Sequence, residues 1–132
     1  MWNTIEHVGD PVSVIAHVRR AIAAGGLLVL TTGDVRGPLA RRDLDRWDLM
    51  TPPEHLFFFD PSTITRLLAG AGFEVRRIVH DGLVATGGPL LSRPVQLAAS
   101  ALSLGNVMTV FARPTGRPRG RLASRLRPIG RV

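Results

Sequence analysis

Two short stretches put proton-handling groups beside apolar sequence: Glu6-His7 within WNTIEHVGDP, and His55 just before the run LFFF. Imidazole titrates near neutrality, so His7 has the chemistry to orient a substrate or to act as a base. The competing reading of Glu6-His7 is structural, as capping and packing at the start of a helix. For His55 the competing reading is a loop anchor. His17 and His80 have no partner pattern and read as surface or edge residues. The chain has no cysteine, which excludes a disulfide framework, thiolate metal sites and thiol catalysis, and which fits a cytoplasmic protein. No G-x-G-x-x-G or G-x-G-x-G occurs; Gly25-Gly26 and Gly87-Gly88 have the wrong spacing and context for one.

The elements that must position these residues follow from local signals. Asp10 is a good N-cap, Pro11 suits a first helical position, and Pro11, Ile15, Val18 and Ile22 form one apolar stripe. Arg19 and Arg20 fall where the helix dipole favours cations, and Gly25-Gly26 offers a left-handed stop. The run LLVLTT (27–32) then reads as a strand covered on both faces, as in a parallel sheet. A strand remnant, a helix and a strand make a βαβ crossover whose first strand is cut short.

Residues 33–55 read as a long connection rich in Gly and Pro. A second helix is capped by Asp60, with Pro61 in its first turn, Ile64, Leu67, Leu68 and Ala71 on one face, and Gly70 and Gly72 closing it. FEVRRIVH (73–80) is strand-like, with its alternation slipping at Arg76-Arg77, and NVMTVFAR (106–113) is a second strand candidate. Nineteen uncharged residues separate Arg93 from Arg113, but Pro94, Gln96, Ser100, Ser103, Gly105 and Asn106 interrupt them. That stretch reads as an apolar helix over about 95–104 followed by a buried strand, not as a membrane span.

The net charge of +7 belongs to one end of the chain. All 17 basic residues are Arg, and seven of them lie in the last twenty residues with no acid among them. Residues 1–112 carry ten Arg against ten Asp and Glu. The expectation is therefore a neutral domain over 1–113 and an unstructured Arg/Pro/Gly-rich tail over 114–132, with no specific nucleic-acid partner.

WNTIEHVGDP, AAGGLLVLTTGD, TPPEHLFFFDPSTITRLLAGAGFEV and GNVMTVFAR occur in this order and resemble the C-terminal half of a class I S-adenosylmethionine-dependent methyltransferase. The similarity covers about residues 2–113 and is strongest to the group with sugar, quinone-type and natural-product methyltransferases. It implies an α/β fold holding part of a Rossmann-like sheet. Met1–Asn3 would end the fourth strand, 27–32 would be the fifth, and 73–80 with 106–112 would be the antiparallel pair that ends the sheet. The family's first half, with its glycine-rich turn and ribose-binding acid, has no counterpart here.

Ligands of this fold sit at the carboxyl ends of the strands, which puts Trp2, Asn3, Glu6 and His7 near the cleft. The resemblance implies that Trp2, Asn3 and Glu6 lie on the cofactor side, with Trp2 and Asn3 touching the methionine end of S-adenosylmethionine. It also places His55 in a segment bordering the pocket of a small-molecule methyl acceptor, shaped by Pro52, Pro53 and Phe57–Phe59, where a histidine would deprotonate or hold an acceptor hydroxyl. Trp47 is a further candidate lining residue that the sequence does not decide. In some quinone-directed relatives a Glu-His pair and an acid three residues before the Glu bind a divalent metal. Asn3 stands at that position here, so no metal is expected.

Two functions follow as expectations. One is a fragment of the methyltransferase carrying the substrate-side half, inactive alone and binding cofactor weakly. The other is a non-enzymatic remnant or interaction module that pairs its exposed sheet edge with another chain or with itself.

Overall fold

The structure is a computed structural model and describes residues 1–81 and 105–116. The helix expected over 95–104 and most of the Arg-rich C-terminus lie outside the described residues. The first helix, α1, is Pro11–Ala21, and Asp10 caps it by accepting from Ser13 N–H. Its inward face carries Pro11, Ile15 and Arg19, four residues apart on one stripe. It stops before the Gly25-Gly26 pair because β-branched Ile22 turns extended at ψ 134° while its N–H still bonds Val18 O. Gly25 supplies its positive φ of 76° inside the link to the next strand.

Strand β1 is Leu28–Gly33. The connection after it contains a short helix, α2, at Pro38–Arg42, where the sequence shows no period. Helix α3 is Pro61–Gly70, and strands β2 and β3 are Phe73–Asp81 and Val107–Pro114. The sheet order is β1-β3-β2, with β3 antiparallel to both neighbours. The slip at Arg76-Arg77 is a bulge, since the pairing shifts between Val75 and Arg77.

On the other side of β1, Met1–Asn3 runs parallel to it. Thr31 N–H donates to Met1 O, Asn3 N–H to Thr31 O, and Trp2 forms a parallel bridge to Thr31. The stub therefore stands where the resemblance puts the end of a fourth strand.

The core is one cluster. Ile15 from α1, Leu28 and Leu30 from β1, Ile64 and Leu68 from α3, Phe73 from β2, and Met108, Val110 and Ala112 from β3 meet with Ile5 and Phe59. The β3 residues alternate because one face of an antiparallel strand looks inward. Among the described residues, no helix is long and apolar enough to cross a membrane.

Arg19 departs most from its sequence reading. It is buried; its guanidinium lies over the Phe73 ring at 5.8 Å and donates to the carbonyls of Gly72, Thr115 and Gly116. Thr115 N–H also donates to Gly72 O at 2.9 Å. Pro114–Gly116 is thereby tied to the body, beyond the boundary at 113 expected from composition. A chain ending at Gly116 is expected to exceed one ending at Arg113 by about 2 kcal/mol in urea unfolding, because the shorter chain strands a buried guanidinium. Equal midpoints would show that these contacts contribute nothing.

Asp60 begins α3 with a reciprocal capping box. Its carboxylate accepts from Thr63 N–H and Ser62 Oγ, both at 2.7 Å, and Thr63 Oγ1 accepts from Asp60 N–H. Arg36 Nε lies 3.0 Å from the other carboxylate oxygen. Burial pushes the Asp60 carboxyl up, but these hydrogen bonds and the Arg36 charge outweigh it and hold the pKa at about 2. The folded pKa is depressed, so this stabilisation is present above about pH 4 and is lost as pH falls toward 2. Its size is about 1–2 kcal/mol, reduced by solvent around the exposed Arg36. Asp60→Asn keeps a cap and loses the charge, so its stability should change less than the parent's between pH 4 and pH 2.

Candidate functional site

The site is assembled by two backbone segments that zip together. Residues 4–7 turn at the end of the parallel stub, where His7 N–H donates to Thr4 O and the fully buried Ile5 pins the turn to the core. The Glu6 carbonyl then accepts from Leu56 N–H at 2.8 Å and from Phe57 N–H at 3.2 Å. These bonds bring the segment carrying His55 against the one carrying His7. The two imidazoles meet edge to face with centroids 4.5 Å apart.

Each imidazole is held by a main-chain carbonyl. His7 Nδ1 lies 2.8 Å from Glu54 O, and His55 Nδ1 lies 2.6 Å from Leu49 O. A carbonyl only accepts, so each Nδ1 carries a proton, and in the neutral tautomer that this fixes, the lone pair is on Nε2. Glu6 completes the group. Donor atoms of Glu6, His7 and His55 all lie within 4.8 Å of one another. Glu6 is 4% exposed, and its Oε2 has no hydrogen-bond partner among the described residues. A buried carboxylate oxygen without a partner is costly and invites a donor, a proton or a cation.

Behind this group stands an aromatic row. Phe58 lies 6.3 Å from the His55 ring and 6.3 Å from Trp47. Trp47 is buried against the end of β1, where a side-chain carbon at Gly33 would lie 2.7 Å from Leu49 Cδ1 and 3.1 Å from Trp47 Cη2, so both side chains would have to shift to admit one. Phe59 turns into the core and does not shape the site, whereas Phe57 and Leu56 are exposed.

Trp2 and Asn3 stand at the carboxyl end of the stub. Trp2 is 67% exposed, and Asn3 adopts φ 42°, a left-handed conformation that Asn tolerates better than most residues. The Asn3 side-chain oxygen accepts from Thr31 Oγ1, which directs it to β1 and away from the histidines. Glu6 lies within the histidine group.

His80 lies on β2, the edge strand among the described residues, but its side chain is not at the surface. Its Nε2 lies 3.0 Å from Asp34 Oδ2, with side-chain exposures of 12% and 6%. Asp34 follows β1, accepts from Arg36 N–H and donates its own N–H to Asn106 O. Sequence reasoning missed this pair because its members are far apart in the chain and no spacing rule links them. His17 does match its expectation, exposed on α1 with Nδ1 on Ser13 O.

An α/β unit with an antiparallel strand wedged beside a parallel strand end, and with its site at the carboxyl end of that strand, has the architecture of a class I methyltransferase. The comparisons agree. A family described as "Methyltransferase domain" matches residues 1–78, and the chain belongs to that family. Its fold matches a Thermotoga maritima structure described as a SAM-dependent methyltransferase, possible histamine N-methyltransferase. That match has TM-score 0.66 and 18% identity over 87% of this chain and 54% of the other. It also matches a chain in the complex between the Haloferax volcanii Trm112 methyltransferase activator and a methyltransferase, with TM-score 0.58 and 10% identity over 87% and 52% of the two chains. The chain thus spans about half the length of these solved structures. No curated protein sequence matches it.

Proposed function

We propose that this chain supplies the acceptor-side half of an S-adenosylmethionine-dependent methyltransferase acting on a small molecule. The observation that carries this reading is the His7–His55 pair, whose Nδ1 atoms are pinned by carbonyls so that both Nε2 lone pairs remain available beside buried Glu6. When bound, S-adenosylmethionine supplies an electrophilic methyl group. The chain's own residues bind and align the acceptor against it, and an imidazole Nε2 takes the proton that leaves the acceptor's hydroxyl or amine.

The cofactor fits this chain in part. Exposed Trp2 and strand-end Asn3 suit its methionine end. The glycine with positive φ next to β1, Gly25, lies at that strand's amino end, away from where ligands bind. Cofactor binding by this chain alone is therefore weak. The rest of the site comes from a glycine-rich half that docks, in cis or in trans, along the outer edge of Met1–Asn3.

Calorimetry tests the reading. The 132-residue chain should bind S-adenosylmethionine no tighter than about millimolar, and adding the first half of a family member should tighten binding into the micromolar range. His7→Ala and His55→Ala should then each lower methyl transfer by about 100-fold with cofactor affinity unchanged. Micromolar binding by the chain alone overturns the half-site reading.

A further inference from the structure

We propose that Glu6, His7 and His55 form a binding site for a divalent first-row transition ion of the zinc or cobalt class. The proposal stands on the geometry of these three residues and does not require the methyltransferase reading. One carboxylate oxygen of Glu6 and one ring nitrogen of each histidine already lie within 4.8 Å of one another. Donors on one tetrahedral ion with bonds of about 2.1 Å stand roughly 3.4 Å apart, so small side-chain rotations close the set.

Three further features select a cation over other occupants. Both histidines present Nε2 as the free lone pair and give Nδ1–H to a main-chain carbonyl, Glu54 O for His7 and Leu49 O for His55. That is the outer arrangement metal-binding imidazoles use to fix tautomer and ring orientation. Glu6 Oε2 is buried with no hydrogen-bond partner among the described residues, so a positive charge there would satisfy an otherwise orphaned acceptor. The scaffold is also preset, because Glu6 O holds both Leu56 and Phe57 N–H and fixes the two ligand-bearing segments together.

Two imidazoles and one carboxylate favour zinc, cobalt, iron or nickel over magnesium or calcium, which prefer oxygen donors. The third ligand comes from the segment after Pro53, not from the position three residues before Glu6, since Asn3 is turned toward Thr31. A bound ion would occupy the Nε2 lone pairs, so proton acceptance and ion binding are alternative uses of the same atoms. Methyl transfer that uses these imidazoles as proton acceptors would therefore fall as the ion site fills.

The test uses the untagged 132-residue chain titrated with Co2+ and Zn2+. The expected result is one Co2+ per chain with visible d–d absorption of a four- or five-coordinate ion, displaced by Zn2+. His7→Ala, His55→Ala and Glu6→Gln should each weaken uptake by about 10-fold or more. His17→Ala, an exposed residue on α1, should leave it unchanged. Circular dichroism shows which variants fold, and the near-isosteric Glu6→Gln keeps the test decisive if an alanine variant does not. Absence of Co2+ absorption, uptake that survives His7→Ala/His55→Ala together, or Mg2+ binding as tightly as Zn2+ would each overturn the assignment. Cofactor affinity plays no part in these readouts, so this proposal and the methyltransferase reading fail separately.

Discussion

Leu68→Ala is expected to lower stability by about 3 kcal/mol, read as a fall in the urea midpoint at unchanged slope. Leu68 is fully buried on the inward face of α3, one turn after Ile64, in the cluster with Leu30, Val110 and Phe73. The substitution removes the transfer free energy of the lost carbons and leaves a cavity that helix and strand backbones cannot collapse into. A single domain commonly has only about 5–15 kcal/mol in total, so the variant should unfold readily. Val12→Ala on α1, where Val12 is 63% exposed, should change stability by no more than about 0.5 kcal/mol. A loss below about 1 kcal/mol for Leu68→Ala would mean that α3 does not pack on the sheet.

Asp34→Ala should cost nearly as much, about 2–3 kcal/mol, though no apolar group is removed. One oxygen of this buried carboxylate faces His80 Nε2 at 3.0 Å, and the other accepts from Arg36 N–H at 2.8 Å. Alanine removes the acceptor that the buried imidazole and the main-chain donor face, so the desolvation of both is less fully compensated. Asp34→Asn retains an acceptor for Arg36 and a polar group for His80, so it should recover about half of the loss. If alanine and asparagine behave alike, the hydrogen bonds carry little and the charge is the important part. Urea unfolding of the two variants side by side separates these outcomes.

How much of this could be read from the sequence depended on range. Both main helices were legible because their signals are local. Asp10-Pro11 and Asp60-Pro61 cap and start them, and Ile15 or Ile64 with Leu68 repeat at helical spacing. The bulge at Arg76-Arg77 was legible for the same reason, since a broken alternation is a property of neighbours. Arg19 and His80 were not, because their partners at Gly116 and Asp34 become neighbours only through the sheet. The antiparallel pairing of the last two strands came from resemblance and not from any pattern in them, and the place of β3 between β1 and β2 was not legible at all. The site was half legible. His7 and His55 stood out by residue type, but their direct contact and the burial of Glu6 depend on Leu56 and Phe57 bonding to one carbonyl.

The order β1-β3-β2 also has a consequence in time. The strand that joins the sheet, Val107–Pro114, is made last, and it pairs Leu28 with Ala112 and Phe73 with Pro114 across long stretches of chain. During synthesis both outer strands leave the ribosome before their common partner exists, so each waits with an open edge and an uncovered apolar face. The helices can form at once, whereas the sheet closes only after Val107–Pro114 has emerged, through contacts of the least local and slowest kind. In the interval the nascent chain depends on whatever shields Leu28, Leu30 and Phe73 from other unfinished chains.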